Sequence, residues 1–202
     1  HIVEEGRAGG LSAYIYWRLG FNVTSIEYMP IDEVGKALET WAPAITRLDG
    51  DGHLLVPRVI RDIGPKLAAK TLVIFDGEKR KSAFRNTWSL IRSRVAVGAF
   101  DDSNVGLVPD RNLTGENFHD FLERQGEAWW ETNYTNAAFT GLVGLQGPYY
   151  DLYAKEKQFQ VRDNFASNYA DAITFVVGGA WKRSEASRTG RTHLKVRQKV
   201  KK

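Results

Sequence analysis

The sequence predicts an α/β fold: an open, doubly wound, mostly parallel sheet with helices on both faces. Three observations predict it. Short apolar runs alternate with helically periodic segments through about the first hundred residues, as strands joined by crossover helices do. The run Thr71–Phe75 is apolar after its threonine, as a strand buried on both faces requires. A glycine-rich stretch, Gly6–Gly10, separates the first strand-like run from the first helical one.

The elements follow in order. His1–Glu5 reads as a strand, and Leu11–Leu19 as a helix closed by Gly20, a common residue just past a helix end. Asn22–Tyr28 alternates as a second strand, and Asp32–Trp41 forms a helix despite Gly35. Ala44–Leu48 is a third strand, ending in the turn Asp49-Gly50-Asp51-Gly52. Leu54–Ile63 is helical, with Pro57 in its first turn and Gly64-Pro65 as its stop. Strand four, Thr71–Phe75, leads to an amphipathic helix, Glu78–Arg92, and then to strand five, Val95–Phe100, where Gly98 is unusual for a buried strand. Glu116–Asn133 reads as helical, Gly141–Pro148 as a loop, Lys157–Arg162 as another strand and Ala172–Val177 as a late strand. His193–Val200 alternates weakly, as an edge strand or a tail does.

Composition narrows the function classes. In 202 residues, 43% are hydrophobic and 26% charged, which fits one folded domain and excludes a disordered chain. No apolar run is long enough to span a bilayer and no signal peptide opens the chain. Cysteine is absent, so no thiol chemistry or disulfide enters. Together these predict a protein of the cytoplasm, its own or a host's, rather than a secreted one. A chain that opens inside its first strand reads as one piece of a longer polypeptide. The net charge of +4 is uneven: residues 182–202 hold nine Lys or Arg against one Glu, leaving the remainder at −4. We therefore divide the chain into a domain, 1–181, and a basic C-terminal segment, 182–202. That segment has no aromatic residues for stacking on bases, so nucleic acid is not the expected partner.

The glycine-rich turn is the first chemically informative feature. Glycines between a strand and a helix let a ligand approach the backbone, and the helix N-terminus offers free N–H groups. Glu27 ends the second strand, 17 residues after Gly10, where a carboxylate accepts hydrogen bonds from ribose hydroxyls. The pair reads as a site for an adenosine-containing cofactor on a Rossmann-like sheet. A dinucleotide fingerprint, G-x-G-x-x-G, is not met from Gly6.

The second feature lies at two neighbouring strand ends. Strand four ends in Asp76-Gly77-Glu78-Lys79 and strand five in Asp101-Asp102. In a parallel sheet both tips share the ligand-binding edge. Carboxylates converging there repel unless a cation joins them, and Mg²⁺ prefers such oxygen ligands.

The run Glu4, Gly6, Gly10, Ser12 (E-x-G-x-x-x-G-x-S) resembles the first motif of class I S-adenosylmethionine-dependent methyltransferases, in the variant of small-molecule O-methyltransferases. Asp49-Gly50-Asp51-Gly52 resembles the turn after strand three whose acidic residue lies near the adenine. The resemblance covers residues 1–105. It implies a seven-stranded sheet, S-adenosylmethionine as cofactor (S-adenosylhomocysteine as product), and Glu4, Gly6, Gly10, Ser12, Glu27 and Asp51 as cofactor-binding residues. The strand-four and strand-five tips are similar to those of metal-dependent enzymes of the catechol and macrolide-sugar types. That implies Asp76, Asp101 and Asp102 as ligands of Mg²⁺ or a similar divalent cation, with Lys79 as general base and Asp76 beside it in catalysis. The implied activity is metal-assisted O-methylation of a small-molecule or glycan acceptor, a sugar diol by preference. A catechol or phenylpropanoid acceptor, or a binding module without turnover, is the alternative. Trp129-Trp130 and Tyr149-Tyr150 are core aromatics or walls of an acceptor pocket, and His53 and His119 are packing residues or bases.

Overall fold

The computed structural model describes residues 1–77, 80–101, 118–133 and 172–188. Among these, seven strands form one sheet in the order β3-β2-β1-β4-β5-β7-β6. Strands β1 (Ile2–Glu5), β2 (Val23–Glu27), β3 (Thr46–Asp49), β4 (Leu72–Phe75) and β5 (Val97–Phe100) pair in parallel. β7 (Ala172–Val177) is antiparallel to β5, and β6 (Trp129–Asn133) is antiparallel to β7. The expected seven-stranded, mostly parallel α/β sheet is the observed one.

Helices cover both faces. α1 (Leu11–Arg18) and α2 (Asp32–Trp41) bury Ala13, Val34 and Leu38 against Val23 of β2. On the opposite face α3 (Gly52–Asp62) contributes Val56 and Ile60 to a larger core with Val3, Ile26, Val73 and Phe75. After α4 (Gly64–Ala68) and β4, α5 (Arg80–Ala83) widens into a π-helical turn, Phe84–Trp88, and closes as α6 (Ser89–Ile91). Phe84 packs edge-on against Phe121 of α7 (Phe118–Arg124) at 5.1 Å between ring centres. α8 (Gly179–Arg188) follows β7 and runs past Lys182, where the basic segment was expected to begin. No helix among the described residues is long and apolar enough to cross a membrane.

Local chemistry explains the boundaries. Gly20 closes α1 as expected: its N–H reaches the Trp17 carbonyl (2.9 Å) and the Phe21 N–H reaches that of Tyr16 (3.2 Å), with φ of +89° at the glycine. The same device corrects the helix expected over 116–133. The Gly126 N–H binds the Glu123 carbonyl (2.9 Å) and the Glu127 N–H that of Leu122 (3.0 Å), so α7 stops at Arg124 and Trp129–Asn133 forms β6 instead. The helical reading failed because the alternation within a five-residue strand is too short to outweigh the helical pattern before it. Gly64-Pro65 stops α3 as expected: the helix ends at Asp62 with Ile63 as its C-cap, and Gly64 takes a φ of +77°. The same pair also opens α4, where the missing proline N–H costs nothing. α3 begins two residues earlier than expected because the Asp51 carboxylate accepts the His53 N–H (2.8 Å), which places Pro57 inside the helix. The segments 141–148, 157–162 and 193–200 lie outside the described residues.

Gly98, odd for a buried strand, has a packing reason. A Cβ there would stand 2.7 Å from the fully buried Trp88 ring. Gly98→Ala is expected to lower stability by about 1–3 kcal/mol through overpacking. Urea denaturation should show a smaller penalty for the same change in a Trp88→Leu background; equal penalties would contradict the contact.

Candidate functional site

The strand order reverses between β1 and β4, and in such sheets ligands bind outside the carboxyl ends of the strands at that point. The Glu5 carbonyl accepts N–H groups from Asp76 (2.8 Å) and Gly77 (2.9 Å), joining the two strand tips. Gly6 has φ of +98°, and a Cβ on it would overlap the Gly77 amide nitrogen. The backbone therefore requires glycine there for both conformation and contact. The loop then folds on itself. Gly6 and Arg7 N–H groups share the Ile26 carbonyl (3.0 and 3.2 Å), and the Gly10 N–H meets the Arg7 carbonyl (2.7 Å). Gly10, with φ of +70°, precedes α1 and leaves its first turn without a side-chain cap.

Beneath the loop lies Glu4, 1% exposed. It accepts hydroxyl hydrogen bonds from Ser12 of α1 and from Ser25 of β2 (2.8 Å for the latter). Burial pushes its carboxyl pKa up to about 7. The two serine hydroxyls oppose that rise, Asp76 adds to it, and Arg7 offsets part of it. Glu4 and Ser12 thus brace the loop from inside, tying the start of α1 to the middle of the sheet.

Glu27 stands at the β2 tip. One carboxylate oxygen accepts the Ala8 N–H (2.6 Å) and the other the Met29 N–H (3.0 Å). A carboxylate has about four acceptor positions, so each oxygen retains capacity for a second donor. Ala8 itself has φ of +41°, a region costly for a residue with a Cβ. Next to Glu27, Tyr28 and Met29 are 72% and 74% exposed, and Leu54, in the first turn of α3, is 72% exposed. These are apolar side chains on the ligand edge of the sheet. Asp51 serves as the N-cap of α3.

At the β4 and β5 tips, Asp101 donates its N–H to the Phe75 carbonyl (3.0 Å), which seats it beside the Asp76 segment. Lys79 and Asp102 lie outside the described residues. Among the described residues no group of three His, Cys, Asp or Glu side chains is placed to hold a metal ion. The two histidines have packing partners. His53 Nδ1 lies 2.8 Å from the Thr87 hydroxyl in the π turn, and His119 stacks on Trp129 at 4.1 Å with Nε2 2.9 Å from the Thr174 hydroxyl.

Two residues were not singled out from sequence. Glu5 points to the face opposite Glu4, and its carboxylate occupies a slot between Gly52 and Gly77. A Cβ on Gly77 would come within 2.5 Å of Glu5 Oε1, and one on Gly52 would overlap the Glu5 side chain. The available signal was an acid at a strand position where a buried strand ordinarily carries an apolar residue. Arg7, 3% exposed, sends one guanidinium nitrogen to the Ser25 carbonyl (3.2 Å) and another to Asp49 Oδ1 (2.5 Å). Its partner lies 42 positions away, so no local pattern announces it.

No protein-family model and no curated protein sequence matches the chain. Solved structures similar to it include phosphoethanolamine N-methyltransferase 2 of Haemonchus contortus in complex with phosphomonomethylethanolamine and S-adenosylhomocysteine (12% identity, TM-score 0.46, covering 88% of this chain). This chain spans 48% of that enzyme's length. The methyltransferase domain of bacterial CtHen1 is similar at 9% identity and TM-score 0.43, with 87% of this chain and 89% of that one covered. The glycopeptide N-methyltransferase MtfA complexed with sinefungin is similar at 10% identity and TM-score 0.37, with 88% and 79% covered.

The raised pKa of Glu4 carries a pH signature. Its folded value, about 7, exceeds its ordinary 4.5, so its contribution to stability is fully present below pH 4.5 and is lost as pH rises through 7. In Glu4→Gln that component of the pH dependence is expected to vanish. Urea unfolding at pH 5 and pH 8 measures it; equal pH slopes in variant and wild type would refute it.

Proposed function

We propose that this domain binds S-adenosylmethionine and transfers its methyl group to a hydroxyl of a small molecule. The observation that carries the reading is the pairing of Glu27 with the glycine-rich loop. A carboxylate with remaining acceptor positions lies against an exposed backbone turn at the point where the sheet order reverses. Vicinal ribose hydroxyls fit that carboxylate. Tyr28, Met29 and Leu54 offer apolar surface for a flat base, and the Asp51 turn closes the β3 side. Gly6 and Gly10 keep the loop free of side chains where the rest of the cofactor passes, and Glu4 with Ser12 holds it in shape.

When bound, S-adenosylmethionine supplies an electrophilic methyl group on a sulfonium. The chain's own contribution is orientation, exclusion of water and a place for the acceptor's proton. We assign the last role to Asp76, at the tip of β4 beside the crevice, and to Lys79, three positions on in the sequence. A sugar or glycan diol is our preferred acceptor. In that reading Asp76, Asp101 and Asp102 together take a divalent cation such as Mg²⁺; the adjacency of the Asp76 and Asp101 segments favours it. A catechol-type acceptor uses the same groups.

Calorimetry with S-adenosylhomocysteine, with and without Mg²⁺, tests the reading. Heat of binding is expected for wild type, and Glu27→Ala should weaken it roughly tenfold or more, the scale of a charge-assisted hydrogen bond. No heat with wild type would remove the cofactor assignment, and no effect of Mg²⁺ on binding or turnover would remove the cation. Asp76→Asn separates an enzyme from a binding module: methyl transfer should fall while cofactor affinity holds. A variant as active as wild type would take Asp76 out of catalysis.

A further inference from the structure

We propose that Arg7 is a positioning residue that sets the width of the cofactor crevice by clamping the edge strand β3 to the glycine-rich loop. The inference rests on the cofactor reading above and extends it to base selectivity.

Among the described residues β3 is the edge strand of the sheet, four residues long, with no buried residue, and it pairs only with β2. Short, solvent-exposed edge strands open most readily. Yet its carboxyl end carries the Gly50–Asp51 turn that forms one wall of the crevice, with Asp51 capping α3. Among the described residues backbone pairing holds that turn through β2, including the Gly50 N–H on the Glu27 carbonyl (2.8 Å). Arg7 adds a link that skips a strand. It leaves the loop at the tip of β1, passes the β2 backbone with a hydrogen bond to the Ser25 carbonyl, and ends on Asp49, the last residue of β3. The span from β1 to β3 is two strand spacings, roughly 9–10 Å, within reach of an arginine.

The two ends of this link differ in environment. Arg7 is almost wholly buried, whereas the Asp49 side chain is 56% exposed. A buried guanidinium is tolerated only with its hydrogen bonds made. Two of its nitrogens serve two different strands, a division of labour that a lysine ammonium, a single point, cannot copy. Arg7 follows Gly6 directly, so the loop cannot shift without moving the anchor of β3. The geometry therefore couples the ribose side of the crevice, Glu27 and Ala8, to the base side, Asp51.

Two variants test this, Arg7→Lys and the milder Asp49→Asn, whose site is half exposed. In ligand-free protein, amide hydrogen exchange at Gly50 and His53 should accelerate in both variants while amides of β1 and β4 stay protected. S-adenosylhomocysteine should bind roughly tenfold more weakly in each. The ratio of its affinity to that of the 6-oxo analogue S-inosylhomocysteine should fall towards one, a readout that general loss of stability would not move. Combining the two changes should cost little more than either alone. If Asp49→Asn leaves both exchange at Gly50 and the base ratio unchanged, the clamp is refuted. If exchange rises as expected but wild type binds neither nucleoside, the clamp stands as a structural link and the cofactor reading, with its selectivity role, falls.

Discussion

At the end of β1 the backbone comes so close to the turn after β4 that no side chain fits between them. Gly6 lies against the Gly77 amide, and the Glu5 carbonyl holds the N–H groups of both Asp76 and Gly77. Every feature of the candidate site depends on this contact. It places the glycine-rich loop beside the β4 tip, and through parallel pairing it places Glu27, Asp49 and Asp101 along the same edge. Substituting Gly6 would demand both a backbone change and a separation of the two strands, so the loop, the switch point and the crevice form one constraint.

The charges under and around the loop follow from that crowding. Successive residues of a strand face opposite sides, so Glu4 enters the α1 face and Glu5 the α3 face. Two serines from different elements hold Glu4 in position, and its burial raises its pKa against their opposing hydrogen bonds. Glu5 is given room by glycines at Gly52 and Gly77. Arg7 then carries positive charge to the far side, towards Asp49. The loop is thus held from three directions, by α1 and β2 through Glu4, by β4 through Gly6, and by β3 through Arg7. Such preorganisation lets a site bind without ordering itself first.

Much of the fold was legible because its signals are local. Gly20 ends α1 by the hydrogen-bond pattern its position suggested, and the apolar β4 run lies at the centre of the sheet. The errors were local signals overridden or overlooked. Gly126 divides what read as one helix, Asp51 starts α3 early, and Gly64-Pro65, which ends α3 as expected, also begins a further short helix. Gly98, an anomaly in sequence, is explained only by the Trp88 ring that crosses it.

The sequence by itself determined the alternation of strands and helices, the glycine-rich turn and the acids at the strand tips. Each depends on residues within a few positions of one another, where periodicity and backbone preference act directly. Tertiary structure alone decided what those acids touch. Glu27 turns to the amide of Ala8, Arg7 finds Asp49 across two strands, and Glu5 fills a slot between glycines from α3 and the β4 turn. These partners lie far apart in the chain, and no local preference encodes them. They meet because parallel pairing brings the carboxyl ends of consecutive strands to one edge, within the length of a side chain.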